Sequence, residues 1–130
     1  MNNSAIAEQF IAAIDAEDVD AIRSLYARDA KIWHDFDRVE QDPETNIQSL
    51  STLRKAIPDI HWVTTRIEPL PRGFLLTYDL TMTFGDRELK IPSCVIGTVA
   101  NGSITRIEEW VNAAPMMKHL TPEQLKILAG

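Results

Sequence analysis

The second half of the chain alternates. Phe74, Leu76, Tyr78, Leu80 and Met82 occupy one phase, and Leu75, Thr77, Asp79, Thr81 and Thr83 occupy the other. A period of two residues places these sets on opposite faces of an extended strand. One face is apolar and the other wetter, the signature of a half-buried antiparallel strand. The flanking segments extend the pattern. Ile60–Leu70 is β-branched and aromatic and is closed by Pro69 and Pro71. Gly85-Asp86 makes a turn into a strand from Leu89 to Ala100, where Pro92 marks a bulge or an edge position. Asn101-Gly102 is a two-residue hairpin signal leading into a last strand, Ser103 to Asn112.

The first half is helical. Asn3 or Ser4 caps a helix with Ile6, Phe10, Ala13 and Ile14 on one face. Asp18 caps a second, with Val19, Ile22, Leu25 and Tyr26 as its stripe. Asp42-Pro43 starts a third, which Pro58 ends. A short strand, Ala30 to His34, lies between the second and third helices. Thr121 and Gln124 stand at capping-box spacing for a final short helix. Helices ahead of an antiparallel sheet predict an α+β fold: a curved, cone-shaped antiparallel sheet packed on about three helices of the N-terminal half. Such a cone encloses a concave site suited to a small molecule.

Size and charge narrow the function. The 130 residues argue for one domain spanning residues 1–130. A net charge of −6 argues against nucleic acid and anionic membranes as partners. No apolar run approaches the ~20 residues of a membrane helix, and the N-terminus reads as no signal peptide. The single cysteine, Cys94, permits no intrachain disulfide and fits a reducing, cytoplasmic compartment. His34, His61 and His119 lack metal-ligand spacing, so no metal is expected. No phosphate loop or dinucleotide fingerprint is present, so no cofactor is expected.

The block from Asp18 to Asp37 delivers Trp33, His34 and Asp35 in a row at a strand end. Two readings of His34 stand open: a general acid or base facing a pocket, or a half-buried ring satisfied by a backbone carbonyl. Asp35 is a candidate to orient it, while Asp37 reads as a solvated turn residue. On the last strand Glu108, Trp110 and Asn112 share one parity, and Glu109 takes the other. The first set is the candidate pocket face, with Glu108 as a second acid or base and Trp110 as a stacking surface. Parity alone does not say which face is concave. Trp62, Tyr78 and Met82 are further candidates to line the pocket. Trp33, opposite in parity to His34, reads as packing.

Four stretches resemble the nuclear-transport-factor-2-like superfamily, which includes ketosteroid isomerase, limonene epoxide hydrolase, scytalone dehydratase and the SnoaL-like polyketide cyclases. They are Phe10-Ile-Ala-Ala-Ile-Asp-Ala-Glu-Asp-Val-Asp-Ala-Ile, Leu25-Tyr-Ala-Arg-Asp-Ala-Lys-Ile-Trp-His-Asp, Ile57-Pro-Asp-Ile-His-Trp and Asn101-Gly-Ser-Ile-Thr-Arg-Ile-Glu-Glu-Trp-Val-Asn. The resemblance puts the isomerase base position on His34, its oxyanion tyrosine on Phe10 and its oxyanion acid near Cys94. Both donors are thus replaced by groups that do not serve, at a cost of roughly 3 kcal/mol for each strong donor. The Arg and Asp of the epoxide hydrolases are replaced by Val111 and Asn112. The resemblance implies a homodimer that binds a small hydrophobic or cyclic organic ligand. Its expected chemistry is isomerisation, cyclisation or a lyase reaction by proton transfer through His34, Asp35 and Glu108. Phe10, Trp62, Tyr78, Met82, Cys94, Trp110 and Asn112 would surround the ligand. The alternative is a binding or dimerisation module that kept the cone and lost the chemistry.

Overall fold

In a computed structural model, residues 2–112, 114–118 and 121–123 are described. Helices α1 (Asn3–Asp15) and α2 (Val19–Leu25) lead into β1 (Tyr26–His34) and the short β2 (Glu40–Gln41). Helix α3 (Pro43–Ala56) precedes four long strands, β3 (Ile60–Leu70), β4 (Gly73–Phe84), β5 (Arg87–Ala100) and β6 (Ser103–Val111), and a 3-10 turn at Ala114–Lys118. The six strands form one sheet in the order β2-β1-β6-β5-β4-β3. The sheet is curved and does not close, and the three helices pack against it in an α+β fold.

Each helix starts on a side-chain cap. Asn2, one residue ahead of the expected cap, accepts from Ala5 N at 2.8 Å. Asp18 accepts from Ala21 N at 3.2 Å, and Asp42 from Thr45 N at 2.8 Å with Pro43 in the first turn. Each cap satisfies an otherwise orphaned amide. The far end of α1 is tied to the rest of the fold. Arg54 of α3 donates to the carbonyls of Ile14 and Asp15 at 3.3 and 2.9 Å and lies over the Trp62 ring. The Asp15 carboxylate accepts from Trp62 N of β3 at 3.0 Å.

Two features differ from the sequence expectation. Most strand pairs are antiparallel, but β1 runs parallel to β6. The sheet is therefore mixed, because the chain returns to its first strand through all the others. Strand β1 also begins at Tyr26, which has extended backbone (ψ 138°), instead of at Ala30. Tyr26 leaves the α2 stripe and enters the core from the sheet. Pro92 is an edge case: the β5–β6 pairing ends at Ser93↔Val111, so its missing N–H costs nothing toward β6. The hairpin at Asn101-Gly102 has φ of 53° and 78°, the left-handed pair that a two-residue turn requires. Gln124 and His119 lie outside the described residues.

A recurring pairing between β4 and β5 shapes the interior. Phe74 faces Gly97 and Tyr78 faces Ser93, a large ring opposite a small residue each time. The small residue lets the ring lean across β5 toward β6. A Cβ added at Gly97 would run into the Phe74 ring. Phe74 is fully buried and tilts against Phe10, which meets Tyr26 edge-on at 5.8 Å. Overpacked cores lose about 1–3 kcal/mol. Gly97→Ala is therefore expected to lower stability by about that amount in urea unfolding, and adding Phe74→Leu should recover part of the loss. An unchanged midpoint in Gly97→Ala would contradict this packing.

Candidate active site

The inner face of the sheet and helices α1 and α3 enclose a cavity. It offers about 70 Å³ to the centre of a water-sized sphere, several times the about 10–15 Å³ one water needs. Phe10, Ile14, Ile32, Leu50, Leu53, Trp62 and Leu80 make its walls apolar. The polar groups fall into two clusters.

The first cluster centres on Glu109. Its Oε1 lies 3.2 Å from His34 Nε2, and its Oε2 accepts from the Tyr78 hydroxyl at 2.7 Å. The side chains of His34 and Glu109 are only 16% and 18% exposed, so the pair interacts with little solvent screening. His34 and Glu109 are neighbours because β1 and β6 run parallel with these two residues in register. Phe36 stacks on the imidazole at 5.3 Å. Burial pulls the His34 pKa down, but the hydrogen bond and charge of Glu109, with smaller help from Asp37 and Asp35, outweigh it. The net shift is upward from the ordinary 6.5. Burial, then the charge and hydrogen bond of Glu109, hold the Tyr78 hydroxyl well above its usual range.

The second cluster is uncharged. The buried Tyr26 hydroxyl donates to Asn46 Oδ1 at 2.9 Å. Asn46 Nδ2 donates to Gln41 Oε1, and Gln41 Nε2 to Ser49 Oγ, each at 3.3 Å. Burial, followed by the charge of Glu109, raises the Tyr26 pKa strongly, so this hydroxyl stays protonated.

The structure brings Phe10, His34, Trp62 and Tyr78 together around the cavity. It keeps the expected grouping on β6 but corrects which set faces the cavity. Glu108, Trp110 and Asn112 lie on the opposite face, while Ile107, Glu109 and Val111 face inward. The cause is an irregularity between Thr98↔Arg106 and Val99↔Ile104. One extra residue there flips the phase, so Ile104 and Ile107 are both buried although three apart. Glu108 instead stands 3.7 Å from Arg106, and Trp110 packs edge-on against Trp33 at 5.6 Å. Asn112 accepts from Ala114 N.

Cys94 pairs with Trp110 on that outer face, where partial burial pushes its thiol pKa up and away from reactivity. Met82 is fully buried core and does not reach the cavity. Asp35 sits at the rim: its N–H donates to the Glu109 carbonyl and its carboxylate accepts from Val111 N at 3.1 Å. It holds β6 beside β1 and leaves the imidazole to Glu109.

Tyr26, Gln41, Asn46, Ser49 and Glu109 were not among the expected site residues. Sequence signals pointed to two of them, Glu109 and Asn46. Ile104-x-x-Ile107 is a spacing no regular strand buries on one face, and Ile107-x-Glu109-x-Val111 sets a carboxylate between two core residues. Asn46 interrupts the apolar stripe of α3 formed with Leu50 and Leu53.

A curved open sheet wrapped on three helices around a partly polar cavity defines the nuclear-transport-factor-2-like class. A family model for the SnoaL-like domain matches residues 7–107, and the chain belongs to that family. Among solved structures, it resembles IdmH of Streptomyces antibioticus, a proposed polyketide cyclase, with 16% identity, a TM-score of 0.83 and 97% and 99% of the two chains covered. A proposed SnoaL-like polyketide cyclase from Jannaschia sp. CCS1 shares 13% identity over 92% of each chain, with a TM-score of 0.78. AclR of Streptomyces galilaeus, a proposed hydroxylase, shares 15% identity over 95% and 96% of the chains, with a TM-score of 0.76. At these identities the likeness establishes the fold alone. No curated protein matches the chain in sequence.

The upward shift of His34 has a consequence for stability. A group whose pKa rises on folding contributes its full stabilisation below the unfolded value and loses it as pH rises through the folded value. The wild-type melting temperature should therefore carry a component that is full below the ordinary imidazole value of 6.5 and declines as pH rises above it. Glu109→Gln removes the main raising partner and should abolish that component. An identical pH profile in the two proteins would rule out the coupling.

Proposed function

We propose that this chain is an acid–base enzyme acting on a small hydrophobic cyclic molecule, with His34 exchanging the proton and Glu109 orienting it. The observation that carries the reading is the His34–Glu109–Tyr78 chain set in an otherwise apolar cavity. When neutral, His34 donates through Nε2 to Glu109 and has Nδ1 left to take a proton from carbon. The imidazolium formed is paired at once with the carboxylate, which lowers the cost of charging a half-buried ring. Tyr78 holds the second carboxylate oxygen and fixes its direction. Removing a proton next to a carbonyl begins isomerisation, aldol-type cyclisation and dehydration alike, and polyketides, terpenoids and cyclic ketones all offer such a C–H.

A second reading, a ligand-binding module without turnover, draws on one observation. Both cavity tyrosines spend their protons internally, Tyr78 on Glu109 and Tyr26 on Asn46. Neither hydroxyl then stabilises a developing oxyanion, a contribution of several kcal/mol where it exists.

Deuterium exchange at the α-carbon of cyclohexanone, 1-tetralone and acetophenone in D2O separates the two. Protein-dependent exchange is expected, rising with pH as His34 becomes neutral. His34→Ala should reduce it by about 100-fold or more, the lower range for a positioned general base. Binding of these ketones without protein-dependent exchange would favour the binding module; undiminished exchange in His34→Ala would remove His34 from the chemistry.

We further propose that two copies pair through the outer sheet face. Trp110 is 37% exposed and Val63 is 49% exposed there, apolar area that self-association would cover. Trp110→Arg is expected to shift sedimentation equilibrium from dimer to monomer; a wild-type protein monomeric at 100 μM and above would refute the pairing.

A further inference from the structure

The proposed chemistry leaves the uncharged cluster without a task. Burying two primary amides is costly unless each is satisfied. Here the bonds run in one direction, from Tyr26 through Asn46 and Gln41 to Ser49. Every group in the run donates to the next, so each bond polarises its successor. The run ends on a half-buried hydroxyl that accepts from Gln41 and lines the cavity. Among the described residues, the Ser49 proton has no acceptor outside the cavity.

The register places Gln41, which holds Ser49, relative to His34. Gln41 pairs with Ile32, and His34 pairs with Glu109 two residues further along β1 on the same face. Two residues of strand are about 7 Å. Gln41 also stands one strand spacing to the side of β1, so Gln41 and His34 are about 8 Å apart at the backbone, with the Ile32 side chain on the floor between them.

We infer that Ser49 is the donor of a second, uncharged subsite, and that the ligand of this cavity carries two oxygens across a ring: a carbonyl beside the proton taken by His34, and a second acceptor oxygen bound by Ser49. This inference rests on the acid–base reading of the cavity for the first oxygen. Asn46 and Gln41 position the serine. The subsite selects for a dioxygenated ring, because a ring lacking the second oxygen leaves the hydroxyl without a partner.

The test pairs ligand with protein. Cyclohexanone is compared with cyclohexane-1,4-dione, and acetophenone with 1,4-diacetylbenzene, by NMR titration against wild type, Ser49→Ala and Ser49→Thr. In the wild type, the ratio of affinities within at least one pair should favour the dioxygenated member about tenfold more than in Ser49→Ala. Ser49→Thr, which keeps the hydroxyl, should restore the ratio, and the mono-ketones should bind all three proteins alike. Alanine suits a helix at this position, so loss of fold is not expected, and circular dichroism checks it. Equal ratios in wild type and Ser49→Ala for both pairs would overturn the subsite while leaving the cavity reading intact. Failure of all four compounds to bind the wild type would overturn both.

Discussion

A carboxylate facing an apolar cavity is the constraint on which the rest of this structure turns. Withdrawing Glu109 from water costs several kcal/mol unless its oxygens are answered. Three strands contribute to the answer. β1 must lie parallel to β6 to bring His34 alongside, and β4 must send Tyr78 across an intervening strand. The second demand explains Ser93. A larger side chain on the inner face of β5 would stand between the tyrosine and the carboxylate, whereas serine lets the ring pass over. The same device at Gly97 admits Phe74 and builds the wall behind it. Site and core thus share one rule: β5 stays thin so that β4 can reach past it.

The fold was legible because alternation and caps are local. Phe74 to Thr83 states its own period, and Asp18, Asp42 and Asn101-Gly102 mark their elements without help from distant residues. The β1–β6 pairing was not legible, since strand order depends on contacts between residues about eighty positions apart. The inward face of β6 was lost for a sharper reason. Alternation separates Glu108, Trp110 and Asn112 from Glu109 and Val111 but does not say which set faces inward. A one-residue irregularity near Thr105 breaks the phase running on from Ile104, so the earlier part of the strand could not settle it either. The expectation that the His34 block ends at a pocket did not depend on β6 phase, and the structure places His34 on a cavity wall.

The two polar clusters divide the cavity by charge. Around Glu109 the partners are a titratable ring and a tyrosine, so protonation there responds to pH. Around Asn46 every group is neutral, and Tyr26 is held further from ionising by the distant carboxylate. An uncharged donor run can fix a ligand without competing for the proton being moved. Had a lysine stood at position 49, it would have drawn Glu109 toward a salt bridge and lowered the basicity of His34. On the proposed reading, separating a moving charge from fixed dipoles would let one small cavity hold both functions.

The allocation of the tyrosine protons bears on how any such reaction proceeds. Tyr78 is locked to Glu109 while the carboxylate is charged, and that bond strengthens His34 as a base by fixing the carboxylate that steadies its imidazolium. The same proton is therefore withheld from the substrate. A site built this way favours substrates whose enolate needs little help from the protein, because conjugation or an aromatic ring already spreads the charge. Polyketide-like and aryl ketones meet that condition better than isolated aliphatic ketones do. On the proposed chemistry, the oxyanion donors that the resemblance would place at Phe10 and Cys94 would be replaced by conjugation in the ligand itself.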